Sequence, residues 1–255
     1  MVSLRIFYPF CNNMTHTHLI NSLTLSSAMK LAVLFSGGKD STYAAHLAEV
    51  GGHEVSIFAC MRPARLDSYM FHSVNIHLIP LIAEAQGKPL ASASSSGEKE
   101  KEVEELKHLI ELLDVKGVVT GAIASKYQRD RVNTICQELG IIHLSPLWGK
   151  PPEEVLDAEV RSGMEIIITQ VAANGLDKSW LGRLINLKTA EELKKLSELY
   201  GINICGEGGE YESLVVDAPW FRKRLEVTKT EIVWEGTSGS YIVKDARLSP
   251  KVHKG

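Results

Sequence analysis

An apolar segment followed at once by a glycine-rich loop and a helix constrains this chain most. Residues 31–35 read LAVLF, residues 36–41 read SGGKDS, and residues 42–50 have a helical composition. The short apolar run predicts a buried strand. Two glycines let the backbone turn tightly and gather its N–H groups beside the positive end of the helix. The segment therefore predicts a site for phosphate or pyrophosphate. It is not a Walker loop, because G-x-x-x-x-G-K-[ST] occurs nowhere in the chain.

Strand-like and helix-like segments alternate after this loop. Strands are predicted at residues 55–60, 89–92, 117–120 and 141–144, with helices at residues 41–50, 70–86 and 127–139 and another after residue 95. Pro80 is expected to kink or divide the helix at 70–86, and Ser95 and Glu98 form a candidate capping box. The alternation predicts an α/β fold with a doubly wound, mainly parallel sheet. Ligands of such folds lie at the carboxyl ends of the strands, where the SGGKDS loop falls.

A different pattern begins near two adjacent prolines at positions 151 and 152. Residues 164–172 read as a strand, Thr189 and Glu192 as a second capping box, and residues 226–234 and 241–246 as two strands that flank a GTSG hairpin turn. We expect a nucleotide-binding domain at residues 29–147 and a smaller α+β domain at residues 148–255.

The first 28 residues differ from the rest, because they are rich in Ser, Thr and Asn and lack the periodicity of a core segment. We expect residues 1–28 to be a disordered extension or a product of an early start codon, with Met29 as the functional start. They lack the apolar region of a clear targeting peptide.

Composition narrows the class of protein. The net charge of −3 gives no general attraction to nucleic acid or membrane, and no apolar run approaches the roughly 18 residues that span a bilayer. The four cysteines are widely spaced and form no C-x-x-C pair. We therefore expect a cytoplasmic protein with no membrane partner, and we disfavour nucleic acid as a partner.

A second informative string, GEGGEYES, occupies residues 206–213. Three carboxylates, those of Glu207, Glu210 and Glu212, fall within six residues of a glycine-rich loop. The glycines can hold these acids together to bind Mg²⁺ or a cationic substrate group. The alternative is a surface turn whose glutamates are only hydrated.

The motifs and their order resemble a known enzyme family. SGGKDS resembles the PP-loop of the HUP-like ATP pyrophosphatases. The order of SGGKDS, the segment from Gly121 to Arg131, Pro146-Leu-Trp148 and GEGGEYES with Asp217-Ala-Pro219 is similar to the diphthine–ammonia ligase family, and covers residues 29 to about 224. The resemblance implies amidation of diphthine on translation elongation factor 2 with ammonium and ATP. The reaction would pass through an acyl-adenylate and release AMP and pyrophosphate.

The resemblance also implies roles for individual residues. The nucleotide is expected to contact Ser36, Gly37, Gly38, Lys39, Ser41, Met61, Gly121, Ser125, Tyr127, Gln128 and Arg131. Asp40 either holds Mg²⁺ or complements the helix dipole as a first-turn acid. Met61 either lines the adenine pocket or packs in the core. Arg131 pairs with phosphate or with the substrate carboxylate, or is an ordinary helix-surface arginine.

The trimethylammonium group of diphthine calls for aromatic faces and carboxylates. The candidates for this substrate site are Glu207, Glu210, Tyr211, Glu212 and Trp148. Trp148 or Trp180 is a candidate for a further wall of this site, and the alternative for each is packing in the core or at the domain interface. The residues expected to carry the chemistry are Lys39, Asp40, Glu210 and Glu212.

Two other functions remain open on the sequence. One is another PP-loop ATP pyrophosphatase that acts on tRNA, which the missing C-x-x-C and the acidic balance disfavour. The other is a nucleotide-binding module without catalytic activity. Pyrophosphate release that depends on the substrate would separate an enzyme from such a module.

Overall fold

The computed structural model describes residues 28–63, 74–98 and 101–251. The expected extension, residues 1–28, lies outside this part of the chain except for its last residue. None of the helices within the described residues is both long enough and apolar enough to cross a bilayer.

A five-stranded sheet forms the first half of the chain. All its neighbouring strands run parallel, in the order β3-β2-β1-β4-β5. The strands are β1 (Lys30–Leu34), β2 (Glu54–Pro63), β3 (Leu90–Ser95), β4 (Gly117–Val119) and β5 (Ile142–Leu144). The helices between them are α1 (Lys39–Val50), α2 (Ile79–Gln86), α3 (Lys101–Glu111) and α4 (Lys126–Glu138). The predicted doubly wound α/β fold is confirmed, and the strand order reverses between β1 and β4, where such folds bind ligands.

Alternation along the strands divides the apolar side chains between the two faces of this sheet. Met61 and Val118 pack with Leu106 of α3 and Ile135 of α4 on one face. The other face packs in a continuous core with α1, α2 and the second half of the chain. Helices α1 and α2 therefore lie between the two sheets.

The second half consists of helices α5 (Pro152–Arg161) and α6 (Leu187–Tyr200) and a smaller antiparallel sheet. Its strands are β6 (Glu165–Val171), β7 (Tyr211–Asp217), β8 (Lys223–Glu235) and β9 (Ser238–Pro250), in the order β7-β6-β9-β8. Glu235 pairs with Ser238, which confirms the predicted hairpin. Strand β7 was not predicted, and it brings the GEGGEYES string to the first half.

Three local predictions were wrong. Ser95 is the last residue of β3, and the first helical hydrogen bond of α3 among the described residues runs from the N–H of Glu102 to the carbonyl of Glu98, so Ser95 does not cap this helix. The N-cap of α6 is Asn186, whose Oδ1 accepts the N–H of Thr189 at 3.0 Å, and Thr189 itself lies inside the helix. Pro80 lies in the first turn of α2, where its missing N–H is harmless, and does not kink a longer helix within the described residues; residues 70–73 of the predicted helix lie outside them.

Candidate active site

The SGGKDS loop turns the chain from β1 into α1. Gly37 has a φ of +76°, a conformation that L side chains rarely adopt, and an added Cβ would lie 2.7 Å from Ile79 Cδ1. The N-cap of α1 is Gly38, which has no side chain of its own to cap the helix. The hydroxyls of Ser36 and Ser41 are 3.1 Å apart beside it. The loop thus offers hydroxyls beside a helix N-terminus, a setting that suits phosphate.

A cavity of about 220 Å³ lies at this loop and receives residues from both halves of the chain. It includes eleven of the residues proposed from the sequence: Ser36, Gly38, Lys39, Asp40, Ser41, Met61, Gly121, Gln128, Glu207, Tyr211 and Glu212. Its walls near Met61 are apolar, with Leu106 of α3 and Val132 of α4. The cavity thus has a polar end at the loop and an apolar end between the helices.

The ammonium group of Lys39 is enclosed by acids. Its Nζ lies 2.6 Å from Oδ1 of Asp40 and 3.7 Å from Oε2 of Glu159, and the Lys39 and Glu159 side chains are 1% and 0% exposed. Burial lowers the pKa of Lys39, but attraction to Asp40 and Glu159 outweighs it and holds the pKa well above 10.5. Burial raises the pKa of Glu159 well above its usual value, and Lys39 opposes that shift. Lys39 is therefore an internal cation, compensated within the protein.

Sequence reasoning missed Glu159. It lies on the buried face of α5 with Val155 and Leu156. An acid one turn beyond two apolar residues on the same helix face was a usable signal, because a buried carboxylate requires a partner.

The polar end of the cavity can hold a divalent cation only together with a bound nucleotide. Within the described residues, no group of three His, Cys, Asp or Glu side chains is placed to hold a metal. Mg²⁺ commonly uses one or two protein carboxylates together with substrate phosphates and water. Asp40, whose side chain is 28% exposed at the cavity, can supply one such ligand.

Strand β7 closes against the phosphate loop. The N–H of Val215 donates to the carbonyl of Gly37 at 2.9 Å, and the N–H of Lys39 donates to Oγ of Ser213 at 3.2 Å. The loop is thus held by both halves of the chain. Ser213 is a second contact that sequence reasoning did not identify.

Glu207 joins the two halves on the other side of the cavity. Its two carboxylate oxygens accept the N–H groups of Ile123 and Ala124, each at 2.6 Å. Those residues follow Gly121 in the segment after β4. Glu207 therefore fixes a cavity wall, a role different from the predicted contact with a cation.

The other residues of the acidic loop do not form an aromatic cage. Glu210 accepts the N–H groups of Asn203 and Gly208, both at 2.8 Å, and so organises its own loop. Tyr211 is 3% exposed. Its hydroxyl donates to the carbonyl of Ile204, and its ring centroid lies 5.7 Å from Lys39 Nζ. Glu212 lines the cavity.

The two tryptophans proposed as walls lie in other contacts. The guanidinium of Arg129 stacks 4.2 Å from the ring centroid of Trp148, and that of Arg183 lies 4.5 Å from the ring centroid of Trp180. Trp180 is 6% exposed. Neither ring is part of the cavity wall, so the packing alternative describes both.

The four remaining candidates for nucleotide contact lie in or beside the start of α4, and they make different contacts. Oγ of Ser125 accepts the N–H of Gln128 at 3.4 Å and caps the helix. The guanidinium of Arg131 lies 3.5 Å from the ring centroid of Tyr127. Of these four residues, Gln128 is the one in the cavity wall.

Comparisons with known proteins match both halves of the chain. A family model described as the diphthamide synthase N-terminal domain matches residues 29–143, and one described as the C-terminal domain matches residues 151–248. The human protein named diphthine–ammonia ligase is 37% identical over 228 residues, which cover 80% of this chain and 85% of its own length. The Danio rerio protein of that name is 38% identical over 228 residues, which cover 80% of this chain and 89% of its own.

Two other matches are a longer relative and a distant solved structure. The Schizosaccharomyces pombe diphthine–ammonia ligase is 38% identical over 231 residues, which are 83% of this chain but 38% of that longer protein. A solved structure described as a predicted subunit of tRNA methyltransferase from Methanocaldococcus jannaschii aligns with 75% of this chain and 98% of its own, at 16% identity and a TM-score of 0.42. That likeness is too distant to support a functional argument.

Proposed function

The chain belongs to the diphthine–ammonia ligase family, and on that premise we propose that it amidates diphthine on translation elongation factor 2 with ammonium and ATP. It is an ATP-using ligase that catalyses the last step of diphthamide synthesis and acts on a protein substrate. The observation that carries the proposal is the phosphate loop between β1 and α1, at a cavity to which both halves contribute.

The chemistry explains why such a loop is needed. A carboxylate resists attack by ammonia because its leaving group would be poor. Attack of the carboxylate oxygen on the α-phosphorus of ATP releases pyrophosphate and gives an acyl-adenylate. Ammonia then attacks the carbonyl carbon, and the bond to AMP breaks. Negative charge builds on the phosphates in the first step, so fixed N–H donors nearby stabilise its transition state.

The phosphate end of the cavity supplies those donors. We assign pyrophosphate binding to Ser36, Gly38 and Ser41, which surround the start of α1. Asp40 would hold Mg²⁺, which supplies charge neutralisation when it is bound with the nucleotide. Lys39 positions Asp40 through their 2.6 Å contact, and this replaces the direct phosphate contact expected from the sequence.

The substrate side is assigned to the wall formed by β7. Glu212 faces the cavity from this strand and is our candidate for contact with the cationic diphthine or with ammonium. Glu207 and Glu210 support that wall through backbone hydrogen bonds. Met61, at the apolar end, is assigned to the base of the nucleotide.

The test is an assay of the purified chain with ATP, ammonium and elongation factor 2 that bears diphthine. We expect AMP and pyrophosphate in step with amide formation, read by chromatography of the nucleotides and mass spectrometry of the factor. D40N should lower turnover by at least tenfold, or about 1.4 kcal/mol. D157N is the matched control, because Asp157 lies on the surface of α5 and pairs with Arg161. Release of ADP, or AMP formation that does not need diphthine, would contradict the proposal.

A further inference from the structure

Four polar side chains form a closed hydrogen-bond network at one wall of the cavity. Thr120 follows β4, His143 lies in β5, Ser145 follows β5, and Asn133 lies on α4. Nε2 of His143 is 2.8 Å from Oγ1 of Thr120 and 3.0 Å from Oγ of Ser145. The two hydroxyl oxygens are 2.9 Å apart, and Nδ1 of His143 is 2.6 Å from Oδ1 of Asn133. Nothing in the reaction proposed above uses this network.

The network fixes where its protons lie. An amide oxygen only accepts, so Nδ1 of His143 carries the proton that Asn133 receives, and Nε2 of the neutral ring is an acceptor. One hydroxyl proton therefore goes to Nε2. The other hydroxyl donates to the first hydroxyl. This count is the same whether Thr120 or Ser145 is the residue that donates to Nε2. Both hydroxyl protons are consumed within the network, and Thr120 has only a lone pair to offer to a ligand.

The charge state of the ring agrees with this proton count. Burial, assisted by the nearby charge of Arg129, lowers the pKa of His143 to about 4. The imidazole is thus neutral throughout the physiological range, and Nε2 remains available as an acceptor.

Thr120 is a polar group in a cavity that also has apolar walls. Met61, Leu106 and Val132 line the same cavity and belong to one apolar cluster. A ring system placed between such walls makes apolar contacts with its faces, and its edge must be read by the few polar groups available.

We propose that Oγ1 of Thr120 is a specificity-determining acceptor that favours the amino group of adenine over the carbonyl oxygen of guanine, and that His143 is the positioning residue that keeps it an acceptor. A site that offers an acceptor leaves two oxygens facing each other when guanine enters, and an unpaired buried polar group weakens binding. The inference rests on ATP binding in this cavity, as proposed above. It deepens that function by naming how the base is selected.

The test is calorimetric binding of α,β-methylene-ATP and α,β-methylene-GTP to the whole chain, which needs no turnover. T120V removes the acceptor at nearly constant volume, and T120S keeps it. We expect T120V to weaken the ATP analogue about three- to tenfold and not to weaken the GTP analogue, which loses an opposing oxygen, with T120S near the wild type.

A second variant tests the positioning role. H143F removes the acceptor that holds the hydroxyl protons, so Thr120 becomes free to donate and the GTP analogue should bind more tightly relative to the ATP analogue. Binding of the ATP analogue with unchanged base preference in both T120V and H143F would overturn this inference and leave the proposed function standing. A wild-type chain that binds neither analogue would overturn both.

Discussion

Removal of the Glu207 carboxylate should weaken the junction between the two halves of the chain. The two N–H groups that it holds, those of Ile123 and Ala124, are 2.6 Å from its oxygens. A hydrogen bond to a charged acceptor contributes about 1.5–3 kcal/mol when its partners are buried. Ile123 is 1% exposed, so its N–H loses a buried charged partner, whereas the N–H of the exposed Ala124 can turn to water. We therefore expect E207A to lower the free energy of unfolding by about 2–3 kcal/mol.

Thermal and urea denaturation measure this change. For a chain of this size, the expected loss corresponds to a fall in Tm of roughly 5–10 °C. E207Q should also be destabilised, because an amide can accept only one of the two N–H groups and turns a donor toward the other. The matched control is E231Q, since Glu231 pairs with Lys244 at the surface and both side chains are about half exposed. If E207A melts like E231Q, the carboxylate does not hold the halves together and our reasoning is wrong.

Two further predictions concern buried charges. His143 has its pKa lowered to about 4 from 6.5, so the fold gains stability above pH 6.5 that is lost as the pH falls toward 4; H143F should show a flatter profile over that range in urea titrations. K39M should lower the free energy of unfolding by about 3–5 kcal/mol, because it removes the cation that pairs with Asp40 and Glu159. K194M is its control, since Lys194 pairs with Glu153 at the surface and should contribute under about 1 kcal/mol; equal losses would show that Lys39 is not an essential internal cation.

The first half of the fold could be predicted because its signals are local. A buried strand, two glycines and a helix start are adjacent in sequence, and together they are enough to predict a phosphate loop. Alternating strands and helices then indicate a doubly wound sheet. Each of these inferences needs only a window of the chain.

What could not be predicted depends on contacts between distant segments. Strand β7 begins inside a glycine-rich string, and its pairing with β6 decides its conformation more than its composition does. Ser95 has the spacing of a cap but is drawn into β3 by its pairing with β2. Glu207 and Glu210 look like free acids in the sequence, and only their bonds to backbone N–H groups reveal a supporting role.

The site residues also divide into those that a local motif identifies and those that only contacts between distant segments reveal. Ser36, Gly38 and Ser41 are neighbours in the chain, so one motif identifies them all. Glu159 belongs to the same site but lies on a helix of the second half, and no spacing rule joins it to Lys39. The network around His143 gathers side chains from β5, from the residues that follow β4 and β5, and from a helix, and it becomes visible only when the sheet is assembled.

The hydrogen bond between Val215 and Gly37 affects when the phosphate loop is completed during synthesis of the protein. The ribosome releases the phosphate loop early and β7 late, so a nascent chain contains the loop for a long time without the strand that receives its carbonyl. The hydrogen bonds that β7 makes to the loop, from the N–H of Val215 and to Oγ of Ser213, form only after β7 has emerged. Nucleotide that meets the nascent first half therefore finds the loop without these two bonds, and the complete site forms when the last third of the chain docks.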